Sequence, residues 1–227
     1  MPIATDFQHR AKVLVLGEET RIILPIFRSL GRQGIEVHAA WCPSGSFGLR
    51  SRYLHRHHEL TPYSPHAREW LADLQVLLFK EKFQLVIPAT EAAAYPLHLH
   101  RDLLEQLDLQ GIFLPNRYAC DVAFNKGKTT EVAERIGIAV PITAHVSSAE
   151  EIEECLSALR PPLAVKPLCS VNREDVTRKN YVLLGRNREE ASLDCRRFLA
   201  RGTKVVVQEM IAGQGKGIEM LVDEGQV

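Results

Sequence analysis

Two lysines and one strand end offer the most chemistry in this chain. Lys126 stands in the run Asn125-Lys126-Gly127-Lys128-Thr129-Thr130, at the start of a helical pattern. Lys166 closes the apolar stretch L-A-V-K-P, residues 163–167, which reads as a buried strand. An unpaired charge on a buried strand costs several kcal/mol unless an anion meets it. Two lysines converging from separate elements can clamp a polyphosphate and offset its charge during phosphoryl transfer. Further on, V-V-V-Q-E-M-I (residues 205–211) ends a second strand and opens into A-G-Q-G-K-G. A strand end of this kind, with main-chain N–H and C=O groups framed by apolar side chains, can recognise an adenine edge. Taken singly, the pieces also read as a solvated helix lysine, a snorkelling edge lysine and a plain strand end. Their order and spacing together favour the nucleotide reading.

Other candidates are weaker. Glu91 follows the strand pattern Leu85–Pro88 in P-A-T-E, at a strand C-terminal end where open sheets place ligands, but a plain first-turn helix carboxylate is the favoured reading. The stretch L-R-S-R-Y-L-H-R-H-H-E-L (residues 49–60) carries His55, His57 and His58 among three arginines. It reads as a solvated basic loop, with an anion-contacting loop as the alternative, because the histidine spacing lacks the logic of metal ligands. The turn after the first strand is Gly17-Glu18-Glu19-Thr20, so the dinucleotide fingerprint G-x-G-x-x-G is absent. Cys42, Cys120, Cys155, Cys169 and Cys195 are scattered without a Cys-x-x-Cys pair, and Cys169 reads as passive. An odd cysteine count without an export signal points to thiols in a reducing compartment, hence a cytoplasmic location.

These residues need elements to hold them. Residues 12–16 (K-V-L-V-L) form a strand pattern, residues 21–32 place Ile22, Ile23, Ile26, Phe27 and Leu30 at helical spacing, and residues 35–40 read as a second strand. That β-α-β opening predicts a parallel sheet. Helices over residues 70–79 and 92–107 flank a strand at 85–88, and residues 111–114 read as a closing strand before Pro115. The first unit is therefore expected to span residues 1–115. Residues 116–227 change texture: a helical pattern at 120–136 ended by Gly137, strands at 142–146, 163–166, 180–184, 204–209 and 218–222, and helices from Ser147/Ser148 to about 159 and at 189–200. This second unit reads as a small α+β lobe. Its end, Asp223-Glu224-Gly225 followed by Gln226-Val227, reads as a turn and the first residues of a returning strand, which predicts a fragment of a longer protein.

Composition sets outer limits. The 227 residues hold 28 Lys+Arg against 28 Asp+Glu, without the basic excess of a nucleic-acid binder. No apolar run approaches the roughly 20 residues of a membrane span, and the N-terminus lacks the apolar core of a signal peptide.

At this level the sequence resembles the ATP-grasp superfamily, in its carboxylate–amine ligase and carbamoyl-phosphate synthetase-like branches. The stretches that carry the resemblance are N-K-x6-A-x3-G-I-x-x-P (Asn125 to Pro141), L-A-V-K-P (Leu163 to Pro167) and V-V-V-Q-E-M-I-x-G-x-G (Val205 to Gly215). It implies an α/β chain: a Rossmann-like pre-ATP-grasp parallel sheet, then a small α+β ATP-grasp lobe that is incomplete at the C-terminus. It also implies that Lys126 and Lys166 contact the α- and β-phosphates of ATP, that Glu209 and Ile211 hold the adenine edge through their backbone, and that Gln208 and Met210 line the hinge. Glu219 is the implied contact to the ribose hydroxyls.

The family's phosphate loop is glycine-rich, whereas no glycine lies between Lys166 and Gly185 here. Either Ser170, Asn172 and Arg173 substitute with side chains, or the loop at residues 168–179 is mobile and closes on ligand; in the chain as given it is expected to be poorly ordered. Asn125 stands where the family has an aspartate. The implied activity is phosphorylation of a substrate carboxylate by MgATP and transfer of the acyl group to an amine or other nucleophile. Mg²⁺ ligands are expected beyond residue 227, so the fragment alone should catalyse nothing. Small-molecule carboxylate and amine substrates are the implied partners, no nucleic acid or membrane is, and homodimerisation stays open. The rival readings are a non-catalytic nucleotide-binding or regulatory module of the same fold, and an unrelated Rossmann-type binding protein.

Overall fold

Strand β1 (Lys12–Leu16) shows how the first sheet is built. Successive side chains on a strand point to opposite faces. Val13 and Val15 accordingly pack with Ile23 and Phe27 of helix α1 (Thr20–Arg32), while Leu14 and Leu16 pack with Trp70, Leu71, Leu74 and Leu77 of α2 (Glu69–Glu81). A strand buried on both faces is the mark of a parallel sheet covered by helices. β2 (Glu36–Ala40), β3 (Leu54–His58) and β4 (Leu85–Pro88) complete it in the order β3-β2-β1-β4, every pair parallel. The computed structural model describes residues 11–222 apart from 110, 173, 174, 177, 179, 219 and 221. Among them, no helix is long and apolar enough to cross a membrane.

The remaining helices of this region are shorter than the sequence pattern suggests. The expected helix over 92–107 is two, α3 (Glu91–Leu99) and α4 (Arg101–Gln106), parted at His100, whose ψ of 20° leaves the helical range. Residues 111–114 contribute a single parallel bridge, Ile112 to Val86, rather than a strand. The helical pattern at 120–136 divides into α5 (Arg117–Ala123) and α6 (Lys126–Arg135), because the Asn125 side chain accepts from the Lys128 N–H at 3.1 Å and starts a new helix. Gly137 ends α6 at a φ of 79°, with the Ile138 N–H returning to the Ala133 carbonyl at 2.9 Å. That left-handed cap is easy for glycine and strained for other residues. The basic stretch at 49–60, expected as a solvated loop, instead supplies the edge strand β3.

The second sheet is antiparallel. It comprises β5 (Thr143–Val146), β6 (Leu163–Pro167), β7 (Leu183–Gly185) and β8 (Val205–Glu209) in the order β5-β8-β6-β7. Leu163, Val165, Val205 and Val207 point to one face, where they meet Ile152 and Leu156 of α7 (Ile152–Ser157) and Ala191, Cys195 and Phe198 of α8 (Arg188–Leu199). Arg188 ties the helices together by donating to the carbonyls of Leu156, Ser157 and Leu159 at 3.0, 3.2 and 2.9 Å. These carbonyls lie at and just beyond the end of α7, where backbone acceptors outnumber helical donors. α7 begins later than Ser147/Ser148, since Glu151 first turns back to accept from the Ser147 N–H at 2.9 Å. Ile218, Met220 and Val222, expected in a strand, lie outside any strand, and the anticipated turn and return at 223–227 lie outside the described residues.

By its internal contacts the chain forms two compact units. One takes in the residues through Thr129 together with Cys169–Asn180; the other comprises Thr130–Leu168 and the residues from Tyr181 onward.

Candidate functional site

In the second unit, the sheet face turned away from α7 and α8 carries Ala164, Lys166, Val206 and Gln208. Register pairs Ala164 with Gln208 and Lys166 with Val206, so Lys166 and Gln208 are diagonal neighbours on that face. The half-buried Lys166 ammonium donates from Nζ to Gln208 Oε1 at 2.5 Å. Gln208, buried at 6% exposure, donates from Nε2 to Thr143 Oγ1 at 3.0 Å, and that hydroxyl donates to the Pro141 carbonyl at 2.7 Å. Lys166, Gln208 and Thr143 thus form a directed line across β6, β8 and β5. An ammonium has three donor hydrogens, and Gln208 engages one of them. The line fixes the place of the Lys166 amino group on a face that it shares with Ala164, Val206 and, by its pairing with Val206, His145.

The end of β8 is gripped from both sides. The Glu209 N–H donates to the Ile142 carbonyl at 3.0 Å and the Met210 N–H to the Pro162 carbonyl at 2.9 Å. The Glu209 carboxylate accepts from the Arg160 N–H at 2.8 Å. With its N–H committed, Glu209 can offer an adenine only its carbonyl. Gln208 faces Lys166, while Met210 and Ile211 are 44% and 71% exposed beyond the strand. Glu219 lies outside the described residues.

Lys126 belongs to the first unit. As the first residue of α6 it donates from Nζ to the hydroxyl of Ser170 in the Cys169–Asn180 segment. The sequence reading made both of them site residues, and the fold brings them into contact across 44 positions of chain. The same segment buries Val171 and Val176 at 7% and 8% exposure in a cluster with Tyr95, Tyr63, Ala92 and Phe124. At the described residues of this segment Val171 and Val176 are held by apolar burial, and Ser170 offers a hydroxyl to Lys126. Arg173 lies outside the described residues.

One feature of the first unit was largely missed. A cavity of about 370 Å³ opens at the C-terminal ends of the parallel strands, with Glu18, Trp41, Leu60, Tyr63, Ala92 and Val176 among its walls. Its place, where the chain leaves β1 with β2 on one side and β4 on the other, is where open parallel sheets bind ligands. Gly17, at a φ of 153°, passes so close to Thr90 that a Cβ would lie 2.9 Å from its Cγ2. That approach lets the Thr90 hydroxyl donate to Glu18 Oε2 at 2.7 Å. Thr90 rather than Glu91 thus meets the acidic residue after β1. His58 also lines the cavity, and burial together with neighbouring His38 and Arg56 pushes its imidazole down to about 4. The Gly17-Glu18 pair directly after the first strand was the available signal, hidden by the absent dinucleotide fingerprint.

No family model matches the sequence, and no curated protein matches it significantly. Solved structures do match by fold. The chain is similar to an L-amino acid ligase from Bacillus licheniformis (17% identity, TM-score 0.60), covering 90% of this chain and 45% of that one. Phosphoribosylamine–glycine ligase from Thermotoga maritima gives 19% identity and a TM-score of 0.60, over 90% of this chain and 45% of the other. N5-carboxyaminoimidazole synthetase from Staphylococcus aureus, solved with ADP, gives 16% and 0.62, over 88% and 48%. The chain has the fold of these ATP-grasp enzymes and spans somewhat under half of their length.

Proposed function

We propose that this chain is the ATP-binding portion of an ATP-grasp ligase, with residues 1–115 as its pre-ATP-grasp domain and 116–227 as the first part of its ATP-grasp domain. The full protein would activate a carboxylate: a carboxylate oxygen attacks the γ-phosphorus, ADP leaves, and an amine or other nucleophile then displaces phosphate from the acyl carbon. The observation that carries this reading is the Lys166–Gln208–Thr143 line on the face of β6, β8 and β5 turned away from α7 and α8, in a fold whose solved examples include an ADP complex. Lys166 would meet the α- or β-phosphate with its ammonium already oriented by Gln208. Lys126 would add a second cation, with Ser170 beside it as a hydroxyl donor. Glu209, Met210 and Ile211 would border the adenine, Glu209 through its carbonyl and Ile211 through its backbone, and Glu219 the ribose.

Mg²⁺ would neutralise charge building between the β- and γ-phosphates. Among the described residues, no group of three or more His, Cys, Asp or Glu side chains converges beside Lys166 or Lys126. Its ligands are therefore assigned to no residue here, and these 227 residues alone are expected to release no ADP. The cavity beside Glu18 would suit the apolar body of a small carboxylate or amine substrate. A cytoplasmic location and a homodimer belong to the same proposal. A non-catalytic nucleotide-binding role is the second reading, favoured by the glycine-free segment anchored through Val171 and Val176.

The test is nucleotide titration of the protein carrying Lys166→Ala or Lys126→Ala, with Lys128→Ala as control. Loss of a charge-assisted hydrogen bond should weaken ATP binding by about 1–3 kcal/mol, roughly 5- to 150-fold, in each of the first two. Wild-type affinity in both would remove the lysine clamp. ADP release with MgATP and a panel of carboxylates and amines then separates ligase from binding module.

A further inference from the structure

Strands β2 and β3 pair in parallel with one irregularity: Val37 faces Leu54, but His38 faces Arg56. His55 is the extra residue of this β-bulge. A bulge re-aims a side chain that regular pairing would send elsewhere, and here the imidazole of His55 comes to stack on that of His38, with ring centroids 5.2 Å apart. Glu36, two residues before His38 on β2, shares its face. One carboxylate and two imidazoles, all with ligand atoms within 4.8 Å of one another, therefore converge on the surface of the sheet.

From this geometry we infer that Glu36, His38 and His55 form a binding site for a zinc-like divalent cation, separate from the nucleotide residues. Zinc takes imidazole nitrogen and carboxylate oxygen at about 2.0–2.2 Å in a tetrahedron, which places neighbouring ligand atoms about 3.3 Å apart. Glu36 Oε1 lies 2.9 Å from His38 Nε2 and 3.7 Å from His55 Nε2, on either side of that value. His38 is buried, whereas the His55 side chain is 59% exposed, so the site has two firm ligands and a third that closes from solvent. Solvent supplies the fourth position.

The outer shell is in place as well. Histidine ligands characteristically use their second nitrogen to bind a fixed partner. His38 Nδ1 lies 2.7 Å from His58 Nε2, and the edge of Phe83 abuts both rings. With a cation on Nε2, His38 must carry its proton on Nδ1 and donate it to His58. Lys12 Nζ, 3.5 Å from Glu36 Oε1, is the one competing cation in contact with that carboxylate among the described residues. Lys12 also has Glu81 at 3.3 Å and keeps that partner when the ion arrives. Two neutral imidazoles and one carboxylate suit a borderline ion such as Zn²⁺ and not Mg²⁺, which prefers oxygen ligands.

Calorimetric titration with Zn²⁺, and spectroscopic titration with Co²⁺ as its stand-in, test the site. The expected result is one ion per chain, with Co²⁺ absorption of a tetrahedral nitrogen- and oxygen-ligated centre. His55→Ala, at an exposed position, should keep the wild-type circular dichroism and melting temperature and weaken binding at least tenfold. Glu36→Gln should do the same to binding. Stoichiometric binding that survives His55→Ala, a thiolate-to-cobalt charge-transfer band, or no binding at all would each overturn the assignment.

Discussion

Each unit runs a line of polar side chains across a sheet, and the two lines are made of different materials. In the second unit Lys166 donates to Gln208, Gln208 to Thr143, and Thr143 to the Pro141 carbonyl. An ammonium can only donate, so the direction of every bond in that line follows from the charge at its head. In the first unit Glu36, His38 and His58 are joined at 2.9 and 2.7 Å through imidazole nitrogens, each of which can donate or accept. With only a carboxylate on Nε2, His38 keeps its proton there and accepts from His58; with a cation on Nε2 the direction reverses. The first line is rigidly polarised, and the second takes its polarity from its occupant. Buried polar groups on both must be satisfied, but only one of the two arrangements has a choice of how.

The comparison assumes that each line rests on its own core, and the largest effects probe that. Trp70→Ala in the first unit and Phe198→Ala in the second should each cost about 3–5 kcal/mol, since both side chains are buried. Hydrogen exchange should register the loss mainly in the unit that carries the change. Equal loss of protection in both units would mean a single cooperative block.

Gln208→Leu should cost about 1–3 kcal/mol, because it leaves Lys166 and Thr143 without their bridging amide. Lys166→Met removes the charge and its need for a partner together, and should cost less. Denaturant melts of both variants order the effects; the reverse order would show that Lys166, not Gln208, is the keystone of the line.

Helix starts come next. Asn187 Oδ1 accepts from the Glu190 N–H at 2.8 Å at the start of α8, and Asn187→Ala should cost about 1 kcal/mol. Asn125→Ala, at the start of α6, is expected to be similar, and additionally to loosen the Lys126–Ser170 contact. Urea midpoints measure the first effect. An unchanged Lys126 side-chain signal in NMR would count against the second.

The smallest effect concerns pH. A hydrogen bond from His98 Nε2 at 2.8 Å holds the Asp121 carboxyl below its ordinary 3.8. A carboxyl lowered in the folded state adds stability above its unfolded pKa and loses it as pH falls through the folded one. Asp121→Asn should therefore cost under about 1 kcal/mol at pH 7, given the exposure of the Asp121 carboxylate. The gap to wild type should close below pH 3.8. A gap that stays constant into strong acid would assign the stabilisation to packing instead.

What could be read from the chain follows the range of the forces involved. β1, β4, β6 and β8 were legible because their apolar runs are local, and in β1, β6 and β8 nearly every residue is buried. Lys166 and Lys126 were legible as charges at the ends of such patterns. β3 was not, since Leu54–His58 holds three histidines and an arginine and takes strand form only by pairing with β2. The break at His100 was likewise invisible to helical spacing. Anchorage of Cys169–Asn180 needed Tyr95 and Phe124, which are remote in sequence.

The sequence by itself determined two sheets of different kind, because side-chain alternation and apolar run length dictate local structure wherever burial is the dominant free energy. It also determined which residues could hold an anion, since charge and hydrogen-bonding capacity belong to the residue. Tertiary structure decided which of them meet: Lys126 with Ser170, Lys166 with Gln208, and Glu36 and His38 with His55. Those meetings depend on register and on one extra residue in a strand. Register is set by the whole sheet at once, and a shift of a single residue sends each side chain to the opposite face.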